Sequence, residues 1–134
     1  MIKNNMLALL LTLFSLSCSS QKIKRIDILF VDQEIETPFR IKCEEFEKFF
    51  IDDLDSVSIH DDAQMQQFLN ELAKLSMADL TKYSLLDTRI KIKLIYEDKI
   101  NELCIDRFVI TKQNDIYILS ESLKTFINKR TTKK

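Results

Sequence analysis

Thr88-Arg89-Ile90-Lys91-Ile92-Lys93-Leu94-Ile95-Tyr96 decides the fold class of this chain. Ile90, Ile92, Leu94 and Tyr96 alternate with Arg89, Lys91 and Lys93, and successive side chains of a strand point to opposite faces. That period of two predicts a half-buried strand with one wet face. Glu97-Asp98-Lys99 follows as a turn. Residues 101–111 then run back as a strand, with Leu103, Ile105 and Val109 on one side and Cys104, Phe108 and Ile110 on the other. Gln113-Asn114-Asp115 turns again into Ile116-Tyr117-Ile118-Leu119. Strands joined by turns this short pair antiparallel, so the three form a meander.

Working outward, Ile26, Ile28 and Phe30 alternate within residues 26–31 and predict another strand. Residues 39–43 alternate after Pro38 and predict a second, and Val57-Ser58-Ile59 is a short extended segment. Between them, Cys43, Phe46, Phe49 and Phe50 fit a helical stripe better than a strand, which predicts one or two helical turns over residues 44–50. Asp61 can cap a helix with Gln64 at its third position. Met65, Phe68, Leu69, Leu72 and Leu75 then form one apolar stripe, ending between Ser76 and Leu80. Ser120 can cap a last helix that turns Leu123, Phe126 and Ile127 inward. Two amphipathic helices need a surface to cover, and one face of the sheet supplies it. The expectation is an α+β fold: a two-layer sandwich of a mostly antiparallel sheet of about five strands, with two helices on one face.

Composition excludes several functions. The chain has 134 residues, with Lys+Arg 20 against Asp+Glu 21, a formal net charge of −1. That balance argues against a nucleic-acid partner, which requires a basic face. There is no glycine at all, so no glycine-rich phosphate loop or dinucleotide fingerprint exists and no nucleotide is expected by those routes. The turns must instead use Asn and Asp, which tolerate left-handed geometry. With one histidine, multi-histidine zinc sites are excluded. No cofactor, metal or catalytic constellation is expected.

The remaining candidates have plain structural explanations. The acidic run of Asp52, Asp53 and Asp55 with His60, Asp61 and Asp62 lacks the Gly and closing Glu of a helix–loop–helix calcium site, and reads as solvated. His60 is the one possible imidazole base, but every serine is an equal nominal partner, so it carries no specificity. Arg89, Lys91, Lys93 and Arg107 suggest a basic stripe; a solvated sheet face is preferred at this net charge. The C-terminal Lys129, Arg130, Lys133 and Lys134 suit either anionic headgroups or a helix C-terminus. Phe46, Phe49 and Phe50 are expected in the core, and any of them left outside would form a partner-binding patch.

The N-terminus points to an address. Met1-Ile2-Lys3-Asn4-Asn5 is short, polar and cationic; residues 6–16 carry no charge; Ser17-Cys18-Ser19-Ser20 follows. A basic start, a short apolar run and small residues at the exit are the requirements of a secretory signal, and the run is too short to span a bilayer, which takes about 20 residues. With cysteine at the exit, the segment resembles the signal of a bacterial lipoprotein. The lipobox-like stretch is Ser15-Leu16-Ser17-Cys18, in which the family's Leu is displaced by one place and the small residue before the cysteine is kept. The resemblance implies that residues 1–17 are removed and that Cys18 carries the lipid as first residue of the mature protein. Several acyl chains would anchor it stably where one would not. The short polar stretch after Cys18 reads as a tether, giving a lipidated tether over residues 18–24, and the length that remains suits a single domain over residues 25–134. Some outer-membrane lipoproteins carry acidic residues after the cysteine as a surface-export signal. Gln21, Lys22 and Lys24 stand there instead, which favours an outer-membrane protein facing the periplasm.

Taking Cys18 as the lipid site leaves Cys43 and Cys104 as a pair. In an oxidising compartment they can form a disulfide, or both can be buried thiols; sequence leaves the two open. The functional expectation is a non-catalytic, lipid-anchored envelope module that binds a protein or glycan partner, of the inhibitor or immunity type among others. The alternatives are a small envelope hydrolase using His60 and an accessory subunit of an outer-membrane complex.

Overall fold

In the computed structural model, which describes residues 21–79 and 86–132, the chain forms strands β1 (Arg25–Phe30), β2 (Asp55–Ile59), β3 (Ile90–Ile95), β4 (Ile100–Ile105), β5 (Val109–Lys112) and β6 (Asp115–Ile118). The helices are α1 (Phe46–Phe49), entered through a 3-10 turn at Cys43–Glu45, α2 (Asp62–Ala73) and α3 (Glu121–Thr131). The strands make one antiparallel sheet in the order β2-β1-β3-β4-β5-β6. The α+β class holds, with six strands and three helices where about five and two were expected.

One face of the sheet follows the alternation read from the sequence. Ile26, Ile28 and Phe30 from β1 align with Ile90, Ile92 and Leu94 from β3 and pack beneath Met65, Phe68 and Leu72 of α2 and Leu123, Phe126 and Ile127 of α3. Both helix starts are capped as expected: the Asp61 carboxylate accepts from the Gln64 amide at 2.8 Å, and the Ser120 hydroxyl from the Leu123 amide at 3.3 Å. Gln64 turns its side chain to Arg130, whose guanidinium donates to it at 2.8 Å. The same guanidinium lies 3.6 Å from the Phe126 ring centroid and donates to the Phe126 carbonyl. It thus ties the end of α3 to the start of α2, and its burial lowers its pKa from the ordinary arginine value. Helix α2 stops at Ala73, short of the expected end.

Four expectations are corrected. Residues 39–43 form no strand; residues 39–42 are loop and Cys43 opens the 3-10 turn. Residues 101–111 are two strands, because the Asp106 carboxylate accepts from the Phe108 and Val109 amides at 2.7 and 2.9 Å and folds the chain into a turn. The turn resets the alternation, so Ile105 opposes Ile110 and both enter the core. The second face is wet only in part: residues 32–54 cross it over Lys91, Lys93 and Cys104, giving a partial third layer, while Ser56, Ser58 and Glu102 stay exposed. Finally, Asn and Asp do not carry the left-handed position of the β5–β6 hairpin. Gln113 does, at φ 56°, the only non-glycine residue with positive φ among those described.

The described part of the polar stretch, residues 21–24, packs on the domain. Ile23 is buried in the core, and the Lys24 amide donates to the Ile95 carbonyl at 2.7 Å. Gln21 donates to Asp98, so residues 21–24 are seated on the domain.

Candidate functional site

The segment over residues 32–54 is built to hold one shape. Its apolar underside, Ile41, Phe46 and Phe50 with Ile35 and Leu54, packs on Leu29 of β1 and on Val31 just after it in a second core. Cys43 and Cys104 are joined in a disulfide, Cα to Cα 5.7 Å, which staples the 3-10 turn to β4. Ile41 is clamped at both backbone groups: its amide donates to the Asp87 carboxylate and its carbonyl accepts from the Thr88 amide, each at 2.9 Å.

Electrostatics reinforce the staple. Glu47 of α1 accepts from Lys91 at 3.0 Å and from Lys93 at 2.9 Å, and Lys91 also reaches Glu102 at 3.2 Å. Lys91 is only 4% exposed. Burial pulls its pKa down, but the hydrogen bonds to Glu47 and Glu102 outweigh that and hold it above the ordinary lysine value. The Lys93 hydrogen bond leads in lowering the Glu47 pKa; burial opposes it and Lys91 assists. An ammonium this buried needs a carboxylate partner, since an isolated buried charge is far costlier than a paired one.

On this platform sits an apolar patch. Phe39 is 57% exposed, Phe49 41% and Ile51 73%, and the Phe39 and Phe49 rings meet edge to face at 5.4 Å. Phe49 also packs edge to face on the buried Phe50 at 4.9 Å. The Arg89 guanidinium lies 5.5 Å from the Phe50 centroid and donates to Asp87 and Thr37. Phe49 thus rests on the buried Phe50, which Arg89 flanks.

The patch lies at one end of the sheet. Arg89 leads into β3, where Val31 follows Phe30 and its amide donates to the Arg89 carbonyl, and Asp55, just after the patch, pairs with Phe30. The chain enters at the other end, where Arg25 pairs with Ile95. Six residues of β1 separate the two ends, a span of roughly 17–20 Å. Phe108, 59% exposed, lies at the patch end beside the Asp106 turn.

The sequence candidates fall out as follows. Cys18 and the signal segment lie outside the described residues, as do Lys133 and Lys134. His60 is exposed between β2 and the α2 cap, and no hydrogen bond or ion pair joins it to another described residue. Asp52, Asp53, Asp61 and Asp62 are exposed; Asp61 is a cap and Asp62 pairs with Lys22 at 3.5 Å. Among the described residues no group of three acidic, His or Cys side chains could hold a metal. The basic stripe does not form, and neither does the solvated face preferred to it. Lys91, Lys93 and Arg89 are covered and paired, while Arg107 stands apart at the exposed Asp106 turn. Of the phenylalanines, Phe46 and Phe50 are buried and Phe49 is half outside. Phe39 and Ile51 were missed: Phe39 was assigned to a strand that does not form, and Ile51 carries no periodic signal. Against protein-family models, curated proteins and solved structures, the chain has no match.

Proposed function

We propose that this protein is a non-catalytic, lipid-anchored module of the bacterial cell envelope that docks a protein partner through Phe39, Phe49 and Ile51. The observation that carries the reading is a cluster of large apolar side chains left in water on a segment braced by a disulfide, two ion pairs and its own small core. Leaving such groups exposed forgoes burial worth about 1.5–3 kcal/mol per side chain. Rigid aromatic anchors on a preorganised platform are what interface hot spots require. The chemistry favours a protein over a glycan, because an edge-to-face pair with an isoleucine offers hydrocarbon and no ring of hydrogen-bonding groups.

The address in this reading rests on Cys18. If it carries lipid, only Ser19 and Ser20 separate it from Gln21, which donates to Asp98 of the β3–β4 turn. A reach of about 3.3–3.6 Å per residue would keep that end of the sheet near the membrane. The patch, at the opposite end, would face away from it into the periplasm.

Two experiments test the parts separately. A photo-crosslinking residue at Phe49 in the native envelope should give a discrete adduct that Phe39→Asp removes, while one at exposed Glu121 gives none. Identical adducts at both positions would overturn the docking reading. Cys18→Ala should release the protein from membranes and change its mass by the lipid; unchanged partition and mass would overturn the anchor.

A further inference from the structure

A second feature lies at the other end of the sheet, on its helix-covered face. A cleft of about 470 Å³ opens between the C-terminal half of α2 and strands β3 to β5. Leu69 and Leu72 of α2 form one wall, Leu94 and Leu103 the floor, and Tyr96 the rim. The volume is within the range of about 300–1,000 Å³ usual for small-molecule sites, which are mostly apolar with a few placed polar groups.

Asn101, Glu102, Lys112 and Gln113 are the polar residues of the cleft, and Lys112 is the cation among them. It pairs in register with Leu103, a core residue, and with the exposed Asp115 of β6, and so lies on the helix-covered face of the sheet. It is half-buried, and no hydrogen bond or ion pair joins its ammonium to another described residue. Glu102 of β4 also lines the cleft, but it registers with Lys93 on the opposite face, and its carboxylate is taken there by Lys91 at 3.2 Å. This contrasts with Lys91, where burial is matched by two carboxylates. A half-buried cation with no ion pair to a described residue, at the edge of a largely apolar cleft, is complementary to a molecule with one anionic end and one apolar end.

We infer that this cleft binds a free single-chain carboxylate, with its chain against Leu69, Leu72, Leu94 and Leu103 and its carboxylate on Lys112. The site shares no residue with the Phe39–Phe49 patch, so its success or failure is independent of the docking proposal.

The test is an NMR titration of the 15N-labelled full chain, carrying Cys18→Ser and free of detergent. The probes are decanoate below its micelle concentration and decyltrimethylammonium as a cationic control. Decanoate should shift the amides of Leu72, Leu103 and Lys112 saturably, and the cation should not. Lys112→Met, which keeps the aliphatic stem, should weaken decanoate about tenfold with an unchanged melting curve. Ala73→Trp, at the wall of the cleft, should block binding. Equal response to both amphiphiles, no saturable response, shifts confined to the aromatic patch, or undiminished binding by Lys112→Met would each overturn the inference.

Discussion

Reducing the Cys43–Cys104 bond separates what the disulfide does from what packing does. The two cysteines are 61 residues apart, and cross-linking them restricts the unfolded chain far more than the folded one. The chain-entropy relation for a loop of that length gives roughly 14 cal/mol/K, or about 4.3 kcal/mol at 25 °C. The folded state should keep its shape on reduction, because Ile41, Phe46 and Phe50 stay packed on Val31 and Glu47 keeps both lysines. Domain stabilities are typically about 5–15 kcal/mol, so the loss is a large share of the total. With an unfolding entropy of about 2.1 cal/mol/K per residue, a domain of roughly a hundred residues should melt about 15–20 °C lower. Urea unfolding followed by circular dichroism would compare the oxidised protein, the reduced protein and Cys43→Ala/Cys104→Ala, all native-like before urea. A loss below about 1 kcal/mol in both disulfide-free forms would refute the reasoning, since the cross-link would then restrict nothing the unfolded chain explores.

The Glu47 cluster predicts a pH dependence. A carboxyl lowered in the folded state stabilises above its unfolded pKa of about 4.3 and loses that contribution as pH falls through the folded value. The raised Lys91 stabilises below about 10.4 and loses its contribution as pH climbs through its folded value. The urea midpoint of the wild type should therefore exceed that of Glu47→Gln by a constant margin from about pH 5 to 9, and the margin should close below about pH 4. Asp61→Ala removes the α2 cap and should cost about 1 kcal/mol, read from the same denaturation curves. Gln113→Asn should stabilise the β5–β6 hairpin by up to about 1 kcal/mol, because asparagine tolerates the left-handed conformation that glutamine holds there. A lower melting temperature for that variant would show that the Gln113 side chain itself is needed.

Where burial follows a local period, reading the residues in order was enough. The alternation of Ile90, Ile92 and Leu94 found its face because a strand's side chains alternate whatever surrounds it. The stripe of Met65, Phe68 and Leu72 found its helix for the same reason, and Asp61 and Ser120 marked the starts because a cap bonds only three residues away. The period misled where a side chain acted at close range across it. Asp106 takes two amides and breaks one long strand into two, and nothing in the apolar pattern of residues 101–111 records that.

The second face was out of reach of such reasoning. Lys91 and Lys93 read as wet because lysine is wet unless paired, and the pair comes from Glu47, 44 and 46 residues earlier in the chain. The cover over them was itself misread in part. The stripe over residues 44–50 predicts helical turns, but the alternation of residues 39–43 predicts a strand that does not form, and no local signal says that the segment crosses the sheet.

By itself, then, the sequence determined an antiparallel sheet with two amphipathic helices on one face, the absence of glycine-dependent nucleotide sites, and three cysteines of which two could pair. Those follow from period, composition and short-range bonding. Only the tertiary structure decided that residues 32–54 cover part of the second face, that Phe39 and Phe49 meet outside with Ile51 exposed two residues on, and that Lys112 lies at a largely apolar cleft with no ion pair to a described residue. Each of these depends on which distant groups meet. The burial of a charge, or the exposure of a phenylalanine, is set by the sum of neighbours in space, and that sum has no period along the chain.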